Sequence, residues 1–111
     1  MEKSGLYPEV TQKLRDKRAS LAPEIMNAWS HFSKTTFEKG ALPEKTKQLI
    51  AVAVAHVTQC SYCIRSHTKI ALRKGASKEE IMEAIWVAAE MRAGGAYAHA
   101  SIALDEMEKQ F

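Results

Sequence analysis

An all-α subunit of about five to six helices is the fold this sequence predicts, on three observations. Apolar residues recur at helical spacing along nearly the whole chain, helix punctuation falls between those segments, and no stretch finds a partner strand. Pro8 to about Arg18 is short and amphipathic, with Val10 and Leu14 at i, i+4. Ser20-Leu21-Ala22-Pro23 opens a second helix with proline in its first turn. Ile25, Met26, Trp29, Phe32 and Phe37 form its apolar face, and Gly40 is expected to end it in a left-handed conformation. Leu42-Pro43-Glu44 opens a third helix, acidic where the helix dipole prefers it. The run from Leu49 to Val57 also reads as a buried strand. Its length from Pro43, its alanines and the lack of a partner strand decide for helix.

Thr58-Gln59 leads into a fourth helix from about Cys60 to Lys74, closed by Gly75 after two basic residues. Ser77-Lys78-Glu79-Glu80 matches the S-x-x-E capping box and starts the last helix, whose apolar face reads Ile81, Met82, Ile85, Trp86 and Ala89. Gly94-Gly95 is expected to break that helix or pack it closely before it resumes from Ala96 to about Glu108. The small residues from Ala88 to Ala100 would allow close helix approach.

The chain has 111 residues, 46% hydrophobic and 26% charged, which suits one domain over 1–111. A monomer of this size buries only roughly two thirds of its unfolded surface, so oligomerisation is a plausible second stabiliser. Sixteen Lys and Arg against thirteen Asp and Glu give +3, far from the basic stripe of a nucleic-acid binder. The longest uncharged run, Leu49 to Ile64, is too short and too polar at its end to span a bilayer. Met1-Glu2-Lys3-Ser4-Gly5 lacks an apolar signal segment, so the expected compartment is the cytoplasm, with no membrane or nucleic-acid partner.

Chemistry concentrates in Cys60-Ser61-Tyr62-Cys63-Ile64-Arg65-Ser66-His67. A disulfide between the only two cysteines would close a very short loop and do little as a staple. Without a secretory signal, the C-x-x-C pair reads as redox or metal chemistry. On a helix Cys60, Cys63 and His67 fall within an arc of roughly 60°, so both sulfurs and the imidazole address one small volume. The thiolate is the nucleophile, and a helix N-terminus stabilises it at Cys60. Attack on a peroxide gives a sulfenic acid, which the second sulfur converts to a disulfide before over-oxidation. An imidazole can take the thiol proton and return it to the leaving alkoxide.

Other readings of the same residues differ in their requirements. A c-type haem site needs C-x-x-C-H, and Ile64 follows Cys63. Zinc could use Cys60, Cys63, His67 and a fourth ligand such as His56 or His99, although the spacings match no finger or ribbon. A thioredoxin-like site needs a βαβ context, which is missing. Two buried, chemically idle cysteines are the bland reading. The sequence demands no metal, flavin or haem.

With C-x-x-C-x3-H on a helix of a small all-α chain, the sequence resembles the AhpD-like/carboxymuconolactone decarboxylase family. The resemblance covers most of the chain. It is densest from Leu42 to His67 and continues through Ala71–Ala76 and Met91–His99. It implies compact helical subunits assembling into trimers or hexamers, with sites near subunit interfaces. The dithiol implies the branch that reduces alkyl hydroperoxides; the decarboxylase branch, which acts on a lactone, lacks it. Carried over by position, Cys63 would be peroxidatic, Cys60 resolving and His67 part of a proton relay, with an external thiol reductant regenerating the pair. The residues alone leave the cysteine order open, since the helix terminus favours Cys60 and the i+4 histidine favours Cys63.

Two positions depart from the family pattern. Its relay commonly has a glutamate twelve residues before the first cysteine, where this chain has Gln48. An amide can orient an imidazole but cannot accept its proton. Tyr62 stands where some peroxidase members have histidine, and Glu44, one turn before Gln48, is a candidate substitute. His56 could bond within the core or approach the dithiol, and His99 is read chiefly as a packed or interface histidine. His31 is expected in solvent. Trp29 and Trp86 are expected in the core or at a subunit interface.

Overall fold

The computed structural model describes residues 7–110, which contain five α-helices and no strand. They divide into two compact units, with the boundary between Glu38 and Lys39. In the first, α1 (Gln12–Leu21) and α2 (Pro23–Phe37) pack as a helical pair. α1 starts later than the apolar pattern suggests, because the Thr11 hydroxyl accepts the Leu14 amide at 3.2 Å and caps it there. Pro23 opens α2 as expected. Gly40 does not close α2: the helix stops at Phe37 on an extended Glu38, and Gly40 does not adopt positive φ. Extended backbone ends a helix as well as a left-handed residue does. Neither helix buries a residue. Trp29 and Phe32, their rings 5.9 Å apart, remain largely exposed.

The second unit carries the core. It comprises α3 (Glu44–Thr58), α4 (Ser61–Arg73) and α5 (Lys78–Gln110), with α3 packed against both of the others. Gln48, Val52 and Ala55 form the buried stripe of α3, at the i, i+4, i+7 spacing of one helix face. Val52 is fully buried against Ala71 of α4, Ala76 and Ile81, with Leu49 and Ile85 completing the cluster. The alanines let the helix backbones approach, and Gly75, at φ 94°, makes the tight turn out of α4.

The capping box at the start of α5 forms in both directions. The Glu80 amide donates to Ser77 Oγ at 3.0 Å, and the Ser77 amide donates to Glu80 Oε1 at 2.8 Å. Glu80 also pairs with Lys45 of α3 at 3.0 Å. These hydrogen bonds, with that from the Ser77 amide foremost, hold its carboxyl below the usual range. Gly94-Gly95 does not break α5, which runs unbroken through both. Nor is either glycine required by close packing within the chain: a Cβ at Gly95 would meet nothing within 4 Å, and one at Gly94 would make an ordinary contact with Glu90. Each glycine costs the helix about 1 kcal/mol relative to alanine, too little to stop a helix so well supplied with alanine around them. Among the described residues, no helix is long and apolar enough to cross a membrane.

Candidate active site

The site is built where α3 turns into α4. α3 ends on Gln59 in the left-handed conformation, φ 58° and ψ 44°. The amides of Gln59 and Cys60 both donate to the Ala55 carbonyl, so the turn is locked from the buried stripe of α3. Arg92 of α5 donates to the Val57 carbonyl and satisfies another orphan acceptor of that helix end. Sequence spacing offers no signal for Arg92, which lies far along the chain. Gln59 breaks the usual glycine preference at such positions and so also goes unannounced.

This turn delivers Cys60 as the N-cap of α4. Its Sγ accepts the Cys63 amide at 3.2 Å, and its carbonyl accepts the Ile64 amide at 2.9 Å. A sulfur in this position is favoured as an anion by the amide and by the helix dipole. Cys60 and Cys63 form a disulfide, with Cα atoms 5.2 Å apart. Both residues are half-buried, so the pair is neither sealed in the core nor fully in solvent.

His67 lies one turn beyond Cys63 on α4, half-buried, and its Nδ1 sits 2.7 Å from Gln48 Oε1 on α3. Gln48 is 4% exposed and is the one buried polar residue among those described. Burial lowers the His67 pKa below its ordinary value, which favours the neutral ring. The arrangement therefore offers two sulfurs in bonding reach and a neutral imidazole one turn away. A neutral imidazole can receive a thiol proton, whereas the amide beside it can only orient the ring.

The remaining candidates go elsewhere. Glu44 is engaged by Lys74, with Nζ to Oε1 at 3.3 Å. His56 Nδ1 lies 2.7 Å from the Val52 carbonyl, and His99 Nδ1 lies 2.8 Å from the Gly95 carbonyl, so each bonds back into its own helix. Tyr62 is exposed in the first turn of α4. His31 is exposed on α2. Among the described residues, no group of three or more His, Cys, Asp or Glu is arranged to hold a metal ion.

The comparisons agree with this architecture. A family model described as the carboxymuconolactone decarboxylase family matches residues 23–106, from α2 into the last turns of α5. The chain is 62% identical over 85 residues to uncharacterized protein 4 in the cox locus of Paracoccus denitrificans, covering 77% of either protein. A carboxymuconolactone decarboxylase family protein from Legionella pneumophila, solved in its apo form, superposes with a TM-score of 0.69 at 33% identity, covering 87% of each chain. A carboxymuconolactone decarboxylase family protein from Thermotoga maritima, described as "possibly involved in antioxidative response", gives 0.55 at 28% identity, covering 78% of this chain and 95% of that one. On the matched span of residues 23–106 and the similarity to solved structures of the family, the chain belongs to the carboxymuconolactone decarboxylase family.

Proposed function

We propose that this protein is a thiol-dependent peroxidase that reduces small alkyl hydroperoxides through Cys60 and Cys63. The observation that carries the reading is the half-buried disulfide between two cysteines at a helix N-terminus, one turn from a neutral histidine. The description of the Thermotoga relative as "possibly involved in antioxidative response" is in keeping with it.

In the reduced protein, His67 takes the Cys63 thiol proton. The thiolate attacks the terminal peroxide oxygen, an S–O bond forms and the O–O bond breaks, and the alkoxide leaves as alcohol with the proton from His67. Cys63 is now a sulfenic acid. Cys60 attacks its sulfur, the S–S bond forms and the hydroxyl departs as water. One peroxide and two thiols have become alcohol, water and a disulfide. An external dithiol reopens the bond by exchange, transferring its two electrons and becoming a disulfide itself. Cys60, capped by the Cys63 amide, is the better-stabilised leaving thiolate in that exchange. The buried amide at Gln48 supplies no proton acceptor, so the relay ends at His67.

The working form is proposed to be a homo-oligomer, a trimer or hexamer. Support comes from the large apolar residues left exposed in the single chain, including Trp29, Phe32, Trp86 and Tyr97. Substituting each cysteine by serine tests the reading. Cys63→Ser should lose peroxide consumption entirely. Cys60→Ser should consume a single equivalent and stall as a sulfenic acid, detectable by a dimedone adduct. Catalysis unchanged in both would instead favour a non-redox, decarboxylase-type enzyme with His67 as its acid–base group.

A further inference from the structure

We infer that Gln48 is a positioning residue that sets the tautomer of His67, holding the proton on Nδ1 and making Nε2 the basic nitrogen. The inference rests on the role proposed for His67 above, yet it is read on the ring itself. A buried side-chain amide requires a hydrogen-bond partner, and Gln48 is nearly inaccessible. The atom it presents to the ring, at 2.7 Å, is the carbonyl oxygen Oε1. That oxygen only accepts, so Nδ1 must donate, and in a neutral ring the lone pair then falls on Nε2.

The contact is also built to hold. Gln48 belongs to the stripe that continues into Val52 and Ala55, and Val52 packs on Ala71, one turn beyond His67 on α4. Amide and ring are therefore carried by two helices clamped through the same core. Left to itself, a neutral histidine side chain favours the opposite tautomer, with the proton on Nε2. A carboxylate in place of the amide would hold the same Nδ1 proton but would also favour the imidazolium, which cannot take a proton from Cys63. The amide supplies orientation without charge. It selects the basic nitrogen while leaving the ring neutral.

Long-range proton–nitrogen correlation spectra of the ¹⁵N-labelled, disulfide form of the full chain test this, with the His67 signals assigned by their loss in His67→Asn. Above the titration of the ring, the wild type should show Nδ1 protonated and Nε2 unprotonated. Gln48→Leu should move the population toward Nε2–H, and Gln48→Glu should retain the Nδ1 proton. In parallel, oxidation of the reduced protein by cumene hydroperoxide should fall about tenfold in kcat for Gln48→Leu, with KM unchanged. A wild-type ring protonated on Nε2, or a Gln48→Leu spectrum identical to wild type, overturns the inference. Should Gln48→Leu fail to fold, the wild-type and Gln48→Glu spectra still decide it. If the spectra follow the expected pattern while no variant consumes peroxide, the tautomer assignment stands and the peroxidase reading fails.

Discussion

At Cys60, Cys63 and His67 the chemistry depends on protonation as much as on position. The His67 ring is neutral near pH 7 because burial penalises its charged form. With His67 as the proposed base, the rate of thiol oxidation by peroxide should fall as pH drops through the lowered pKa of the ring. The acid limb should lie below the usual histidine range near pH ~6.5. Stability follows the same group. The unfolded chain binds the proton at a higher pH than the folded one, so the contribution of the neutral ring is complete above the unfolded value. It is lost as pH falls toward the folded one. A pH–rate profile of reduced protein, with His67→Asn as the reference lacking that limb, checks this expectation. The helical spacing made Cys60, Cys63 and His67 visible in the sequence because all three lie within about two turns at the start of one helix. The Gln48 contact was legible only as a position. Its pairing with His67 crosses two helices and depends on how α3 and α4 are clamped by Val52 and Ala71.

Among the elements, the α3–α4 turn does most to define the site, because its geometry places Cys60 at the N-cap. Gln59 holds the left-handed conformation without being glycine, which costs an L-residue about 1–2 kcal/mol. Gln59→Gly should therefore raise stability by up to about 1 kcal/mol after the greater chain entropy of glycine is counted, measurable by urea denaturation of the disulfide form. Destabilisation would mean that the Gln59 side chain contributes more than its backbone costs. Sequence logic located the elements well where the signal was local: Pro23, Gly75 and the Ser77–Glu80 box all sit at helix boundaries as expected. It misplaced Gly40 and Gly94-Gly95 because glycine permits a left-handed turn or a break without compelling either. In α5 the flanking alanines carry the helix through, and at Glu38 ordinary extended backbone ends α2 first.

Over the whole molecule, the second unit holds the small core while many large apolar side chains stay in solvent. Trp86 is 68% exposed and Tyr97 86% exposed. Such side chains on α5 suit a subunit surface, so light scattering coupled to size exclusion should give a mass well above the 12.4 kDa of one chain. Trp86→Lys should shift that mass downward. A monomer at all concentrations would remove the proposed assembly without touching the chemistry of the dithiol. The chemistry itself is judged most directly by counting. Fully reduced protein, titrated anaerobically with cumene hydroperoxide, should lose two free thiols for each peroxide converted to alcohol, with the intramolecular Cys60–Cys63 bond as the product. Thiols that survive excess peroxide, or that disappear without stoichiometric alcohol, would contradict the account.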